Sequence, residues 1–164
     1  MQTVNRRIAG AAWQTRPEMT TTIRSIRAGE GATIVAAGHL FDSPPDLATA
    51  ERFLGTPGHH LLIAFEDEVA AGFVSGVELT HPDKGTEMFL YELAVDEPFQ
   101  RRGIGTSLVD ELLKIARAHG CYDMWVLTDH DNDAALATYR TTGTTAESSH
   151  VMLTWDLAGA EIHG

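Results

Sequence analysis

The chain has 164 residues, 43% of them hydrophobic and 21% charged, which is the balance of an ordinary globular domain long enough to bury its own core. A formal net charge of −11 disfavours nucleic acid and anionic membrane surfaces and favours cationic partners, although solubility alone accounts for such a charge equally well. Cys121 is the sole cysteine, which excludes an intramolecular disulfide and a cysteine-based metal site and fits a cytoplasmic protein, and no apolar run approaches the roughly 20 residues of a membrane helix.

Arg6-Arg7 precedes an apolar stretch, Ile8–Trp13, that contains a glycine and is too short for a secretion signal. Residues 1–20 are therefore read as a disordered leader, 21–157 as a single domain and 158–164 as a tail. Ile23–Arg27 alternates like a short strand. Gly31–Phe41 and Leu47–Phe53 read as helices separated by Ser43-Pro44-Pro45. His60–Phe65 and Val69–Leu79 flank Glu66-Asp67-Glu68 as a hairpin, and Pro82-Asp83-Lys84-Gly85 turns the chain into Met88–Val95, which predicts three antiparallel strands in succession.

A helix from about Gly105 carries Leu108, Val109, Leu112, Leu113 and Ala116 on one stripe, with Asp110 and Lys114 as an i,i+4 pair opposite and Gly120 just past its end. Tyr122–Thr128 reads as the next strand. After the polar run Asp129-His130-Asp131-Asn132, a helix is expected over Asp133–Thr142, capped by Asp133, with Ala134, Leu136 and Ala137 inward. Thr144–Glu147 and Val151–Trp155 read as closing strands. The order β, α, α, β, β, β, α, β, α, β, β gives a mixed sheet with helices on its faces. Its one strand–helix–strand unit should be a right-handed crossover between parallel strands.

That unit holds the most informative segment, Gln100–Thr106. A glycine turn opening a helix presents unpaired amides at the positive end of the helix dipole, and Arg101 and Arg102 add two charges in an otherwise acidic chain. The expected ligand carries phosphate. No GxxxxGK[ST] loop is present, and the third glycine of a dinucleotide-binding GxGxxG is replaced by Leu108.

Gln100-x-x-Gly103-x-Gly105, after Leu93-Ala94-Val95 and before a leucine-rich helix, resembles the acetyl-CoA signature Q/R-x-x-G-x-G/A of the GNAT superfamily of N-acetyltransferases. Asn132-x-x-Ala135-x-x-x-Tyr139-x-x-x-Gly143 is similar to that superfamily's second conserved region. The resemblance implies an α/β (α+β) fold whose mixed, mostly antiparallel twisted sheet has about six to seven strands, splays at its central parallel strands and carries about four helices. It implies acetyl-CoA as cosubstrate and no metal. Pantetheine would lie against the backbone of Leu93, Ala94 and Val95. The pyrophosphate would take amide bonds from Arg102, Gly103, Ile104, Gly105 and Thr106 beside the arginine side chains, and Asn132 and Ala135 would also contact the cofactor.

Within the superfamily, Leu90–Val95, Arg101–Ile104 and the aspartate-rich loop before Tyr139 resemble the aminoglycoside 3-N-acetyltransferases, which carry an aspartate where this chain has Glu92 and a loop proline that this chain lacks. The resemblance implies direct acetyl transfer to the 3-amino group of an aminoglycoside, with Tyr139 as general acid toward the departing thiolate. Acetylation of a polyamine or a protein N-terminus, and a non-catalytic acetyl-CoA-binding module, are the alternatives. A homodimer joined through Thr144–Trp155 follows by analogy.

Glu92, the one charge in Phe89–Val95, should share a face with Leu90 and Ala94; it is either a strand glutamate paired to an arginine or a base or anchor for a substrate ammonium. Asp129 and Asp131 stand at a strand C-terminus, where open sheets place ligands, and are free to meet a cationic substrate. His130 reads as an exposed loop histidine or a proton relay. Neither His59-His60 nor any other histidine shows metal-ligand spacing.

Overall fold

Five strands form one sheet in chain order: β1 (Thr21–Ile26), β2 (His59–Glu66), β3 (Val69–His81), β4 (Gly85–Val95) and β5 (Met124–Val126). The first four pair antiparallel, and β5 joins β4 in parallel across the expected crossover. The helices are α1 (Gly31–Ala36), α2 (Leu47–Gly55), α3 (Ile104–Ala118) and α4 (Asp133–Thr141). This computed structural model describes residues 20–155 and 157, so the expected leader, apart from Thr20, and the tail lie outside the described residues.

Alternation along the strands divides the core into two layers. Leu62, Ala64, Val74, Met88 and Leu90 pack against Leu108, Val109 and Leu112 of α3. Ile26, Leu61, Ile63 and Phe73 pack against Ile34 of α1 and Ala50 of α2. Gly76 lets α3 approach closely, since a Cβ there would stand 2.8 Å from Leu112 Cδ1 and 2.9 Å from Met88 Sδ.

Several expectations are corrected. The helix expected over Gly31–Phe41 ends at Ala36 and continues as a 3-10 turn, Gly38–Leu40. Lys114 pairs with Glu111 at 2.6 Å rather than with Asp110. On α4 it is Ala135, Leu136 and Tyr139 that turn inward, while Ala134 and Ala137 are exposed. Among the described residues no strand forms after α4. Val151, Met152, Leu153 and Trp155 are 70–84% exposed, so their apolar alternation meets no neighbouring strand and no second layer. Among the described residues the sheet therefore has five strands rather than six to seven, and the segment expected to join two copies forms no strand there. No helix among the described residues is long and apolar enough to cross a membrane.

Candidate active site

The β4–β5 ladder runs from Met88↔Met124 to Leu90↔Val126 and stops, whereas β4 continues to Val95. Beyond Leu90 the β5-facing edge of β4 carries no strand among the described residues. Its backbone groups stay open to an extended ligand that hydrogen-bonds like another strand.

A bulge sets what faces this opening. Leu90 pairs with Gly76 and Glu92 with Ser75, which leaves Tyr91 as the extra residue. The inserted residue reverses the alternation: Leu90 belongs to the α3-side core, while Ala94 packs with the α1–α2 cluster. Glu92 lies across from Ser75 and shares a face with Ala94 but not with Leu90, which corrects the expectation from simple alternation. At the end of β4, Gly72 sits so close to Val95 that a Cβ would meet the Ala94 carbonyl oxygen at 2.7 Å.

Past Val95 the chain makes a 3-10 turn, Glu97–Phe99, and enters the glycine turn. Gln100 Nε2 donates to the Val95 carbonyl at 2.9 Å, which ties the turn to the strand. Arg101 (φ 59) and Gly103 (φ 82) both adopt the left-handed conformation, and Gly103 is the N-cap of α3 with no side-chain cap. For Arg101 that conformation costs about 1–2 kcal/mol, a strain typical of ligand-binding segments. The helix's first backbone bond here runs from the Ser107 amide to the Gly103 carbonyl at 2.9 Å. The amides of Ile104, Gly105 and Thr106 therefore have no partner within the helix. The Arg102 guanidinium lies 5.5 Å from the centre of the Phe99 ring.

Across this opening stands α4. A Cβ on Gly105 would lie 3.5 Å from Thr138 Cγ2, 3.7 Å from Val95 Cγ2 and 3.9 Å from Leu93 Cδ2, so Gly105 sits where α3, α4 and β4 converge. Asn132, not Asp133, caps α4, its Oδ1 accepting from the Ala135 amide at 3.1 Å. One turn further on, Tyr139 is 9% exposed, and burial pushes its phenol pKa above the ordinary value. Its hydroxyl makes no hydrogen bond with the described residues, so a protonated donor remains available.

On the opposite face of β4, burial first and the Asp42 charge second raise the Glu92 carboxyl pKa above its usual range. Asp42 comes from the loop after the Gly38–Leu40 turn, far from Glu92 in sequence. Phe89 stacks on Trp125 with ring centroids 4.3 Å apart and meets Tyr91 edge-on at 5.6 Å, an aromatic cluster across β4 and β5. Asp129 and Asp131 are exposed in the loop before α4, where their carbonyls accept the Asn132 and Asp133 amides. His130 is exposed in the same loop, and burial pushes the Cys121 thiol up, away from a thiolate.

The strand opening, glycine turn and tyrosine helix fall within residues 29–143, which match the model of the Acetyltransferase (GNAT) family. The chain belongs to that family. It is 36% identical over 102 residues to the N-alpha-acetyltransferase RimI of Mycobacterium tuberculosis, a match covering 62% of each chain. The chain spans about three fifths of the length of the curated relatives it matches. Among solved structures, an aminoglycoside acetyltransferase from an uncultured soil metagenomic sample superposes with a TM-score of 0.77 at 24% identity, covering 84% of this chain and 96% of that one. The aminoglycoside N-acetyltransferase AAC(6')-Iy, solved with CoA, superposes with a TM-score of 0.72 at 22% identity, covering 87% and 99%.

For this GNAT chain the residues singled out in the sequence thus fall into two groups. Leu93–Val95, Gln100–Thr106, Asn132, Ala135 and Tyr139 lie around the strand opening and the two helices beside it. Glu92 lies on the other face of the sheet from Leu93 and Val95, with Asp42 as the carboxylate that acts on it. Asp42, Phe89, Tyr91 and Trp125 carry no sequence motif; the fold alone brings the Asp42 charge to act on Glu92 and stacks Phe89 on Trp125.

Proposed function

We propose that this GNAT acetyltransferase moves the acetyl group of acetyl-CoA directly to an amine of a polycationic small molecule, an aminoglycoside. The observation carrying this reading is the open edge of β4 leading into an amide-presenting turn, with a buried phenol opposite that makes no hydrogen bond among the described residues. Acetyl-CoA supplies a thioester carbonyl and a thiolate leaving group. Leu93, Ala94 and Val95 would offer backbone groups to its pantetheine arm. The amides of Arg102–Thr106 and the arginine side chains would hold its pyrophosphate, beside Asn132 and Ala135.

Glu92 would take a proton as the amine nitrogen forms its bond to the acetyl carbon. Tyr139 would donate to sulfur as the carbon–sulfur bond breaks. A phenol is a weaker acid than a thiol, so Tyr139 acts by stabilising the departing thiolate through a hydrogen bond as much as by completed transfer. Glu92 and Asp42, with Asp129 and Asp131 at the strand end, would complement an acceptor bearing several ammonium groups. The exposed Tyr91, with the half-buried Phe89 and Trp125, would receive its sugar rings. A protein N-terminus is the second reading, favoured by the likeness to an N-alpha-acetyltransferase.

The test is thiol release from acetyl-CoA with aminoglycosides, polyamines and alanine-terminated peptides as acceptors. Turnover of aminoglycosides supports the first reading; turnover of peptides alone overturns it in favour of the second. NMR of the product separates the 3-amino group, expected from the sequence resemblance, from a 6′-amino group.

A further inference from the structure

We propose that His60, Glu78 and His119 form a site for a divalent transition cation of the zinc class, holding the C-terminal end of α3 to the β2–β3 hairpin. The residues stand 18 and 41 positions apart, and each comes from a different element. His60 pairs with Gly76 on β3, and Glu78 follows two residues later on the same face, toward α3. His119 caps the C-terminus of α3, its amide bonded to the Ile115 carbonyl at 2.9 Å.

The three side chains converge on one point. His60 Nε2 lies 2.7 Å and His119 Nδ1 2.8 Å from the same oxygen, Glu78 Oε1. The two rings meet edge to face at 87° with centroids 5.0 Å apart, while one nitrogen of each lies against the carboxylate. The donor atoms all lie within 4.8 Å of one another, and the side chains of His60 and Glu78 are only 15% and 19% exposed. Tetrahedral zinc with bonds near 2.0–2.2 Å holds its donors about 3.3 Å apart, so the two nitrogen–carboxylate contacts need lengthen by only about half an ångström to admit the ion. The more exposed His119, at 47%, leaves a side open for a water ligand.

Two neutral imidazoles and one carboxylate suit zinc, nickel, copper or iron(II), and not magnesium or calcium. The backbone around Glu78 is already fixed. Its amide donates to the Gly58 carbonyl at 2.8 Å, and Gly58 takes φ +78 with the Glu78 Cβ only 3.2 Å from where its own Cβ would stand. The 15 residues of α3 put the cluster about 22 Å from the glycine turn at the helix's other end, so the ion's role is to stabilise the fold, not to take part in acetyl transfer.

The experiment titrates chelator-treated full-length protein with Zn2+ by calorimetry, follows thermal unfolding with and without the ion, and repeats the titration with Co2+, whose visible spectrum reports its ligands. One equivalent should bind and raise the unfolding temperature. His60→Ala, His119→Ala and Glu78→Gln should each weaken binding by on the order of a hundredfold, while His59→Ala leaves it unchanged. His119→Ala, at the exposed end of α3, keeps the test decisive if His60→Ala does not fold. Absence of binding, binding that survives all three substitutions, or binding lost equally in His59→Ala overturns the assignment.

Discussion

The carboxamide of Gln100 donates to the carbonyl of Val95 at 2.9 Å, so the glycine turn is fastened to the strand end that it follows. The Gln100 side chain thus spends an amide donor on the strand end and holds the turn behind it. A neutral hydrogen bond at an exposed position contributes about 0.5–1.5 kcal/mol. Gln100→Ala should weaken CoA binding about two- to tenfold by calorimetry with little change in thermal stability. Gln100→Arg keeps a donor within reach of the carbonyl and should restore the affinity.

Gly103 and Gly105 are two residues apart and should respond to alanine in opposite ways. At Gly103 (φ 82) a Cβ meets open space, so the whole penalty is backbone strain, about 1–2 kcal/mol, and relief of that strain would turn the amides away. Gly105 lies inside the helix, and its Cβ would make ordinary contacts of 3.5–3.9 Å. Gly105→Ala should therefore stabilise the protein by up to about 1 kcal/mol and retain CoA affinity, whereas Gly103→Ala should lose both. Denaturant unfolding and CoA calorimetry on the two variants check this.

Tyr139 combines a buried ring with a hydroxyl that makes no bond among the described residues. Tyr139→Phe keeps the packing and should alter stability by less than about 0.5 kcal/mol. On the proposed mechanism kcat should fall on the order of a hundredfold with CoA affinity nearly unchanged. Stopped-assay kinetics beside CoA calorimetry separate the two effects, and an unchanged kcat would remove Tyr139 from the chemistry.

The legible parts of this fold were those fixed by local chemistry. The glycine turn, the leucine stripe of α3 and the hairpin around Asp67-Glu68 each declare themselves within a short window. What escaped depended on partners distant in sequence. The bulge at Tyr91 arises from β3–β4 register, and no residue of β4 announces it. Asn132 and Asp133 are both good caps, and the one-position choice between them follows from how the loop folds back through the Asn132 and Asp133 amides. Val151–Trp155 has a strand's alternation, yet alternation specifies a strand only where a neighbour completes its hydrogen bonds. The Asp42 charge acts on Glu92 of β4 from a loop distant in sequence, and His60, Glu78 and His119 meet only once β2, β3 and α3 have packed.

On the proposed mechanism Glu92 ties the acceptor side to pH. Its carboxyl is held above the usual range by burial first and the Asp42 charge second. If Glu92 accepts the amine proton, kcat/KM should rise with pH along an acidic limb centred above about 4.3, the ordinary glutamate value. Asp42→Asn removes the raising charge without touching the base, so the limb should move to lower pH; Glu92→Gln should abolish it and lower the rate about a hundredfold. Stability runs the other way. A carboxyl with a raised folded-state pKa binds its proton more tightly folded than unfolded, so its contribution falls as pH rises from the ordinary value through the raised one. Glu92→Gln should thus gain stability relative to the parent above that window, and the gain should vanish below it. Urea unfolding at a series of pH values, run beside the pH–rate profile, measures both, and a limb that stays in place in Asp42→Asn would break the link between these two carboxylates.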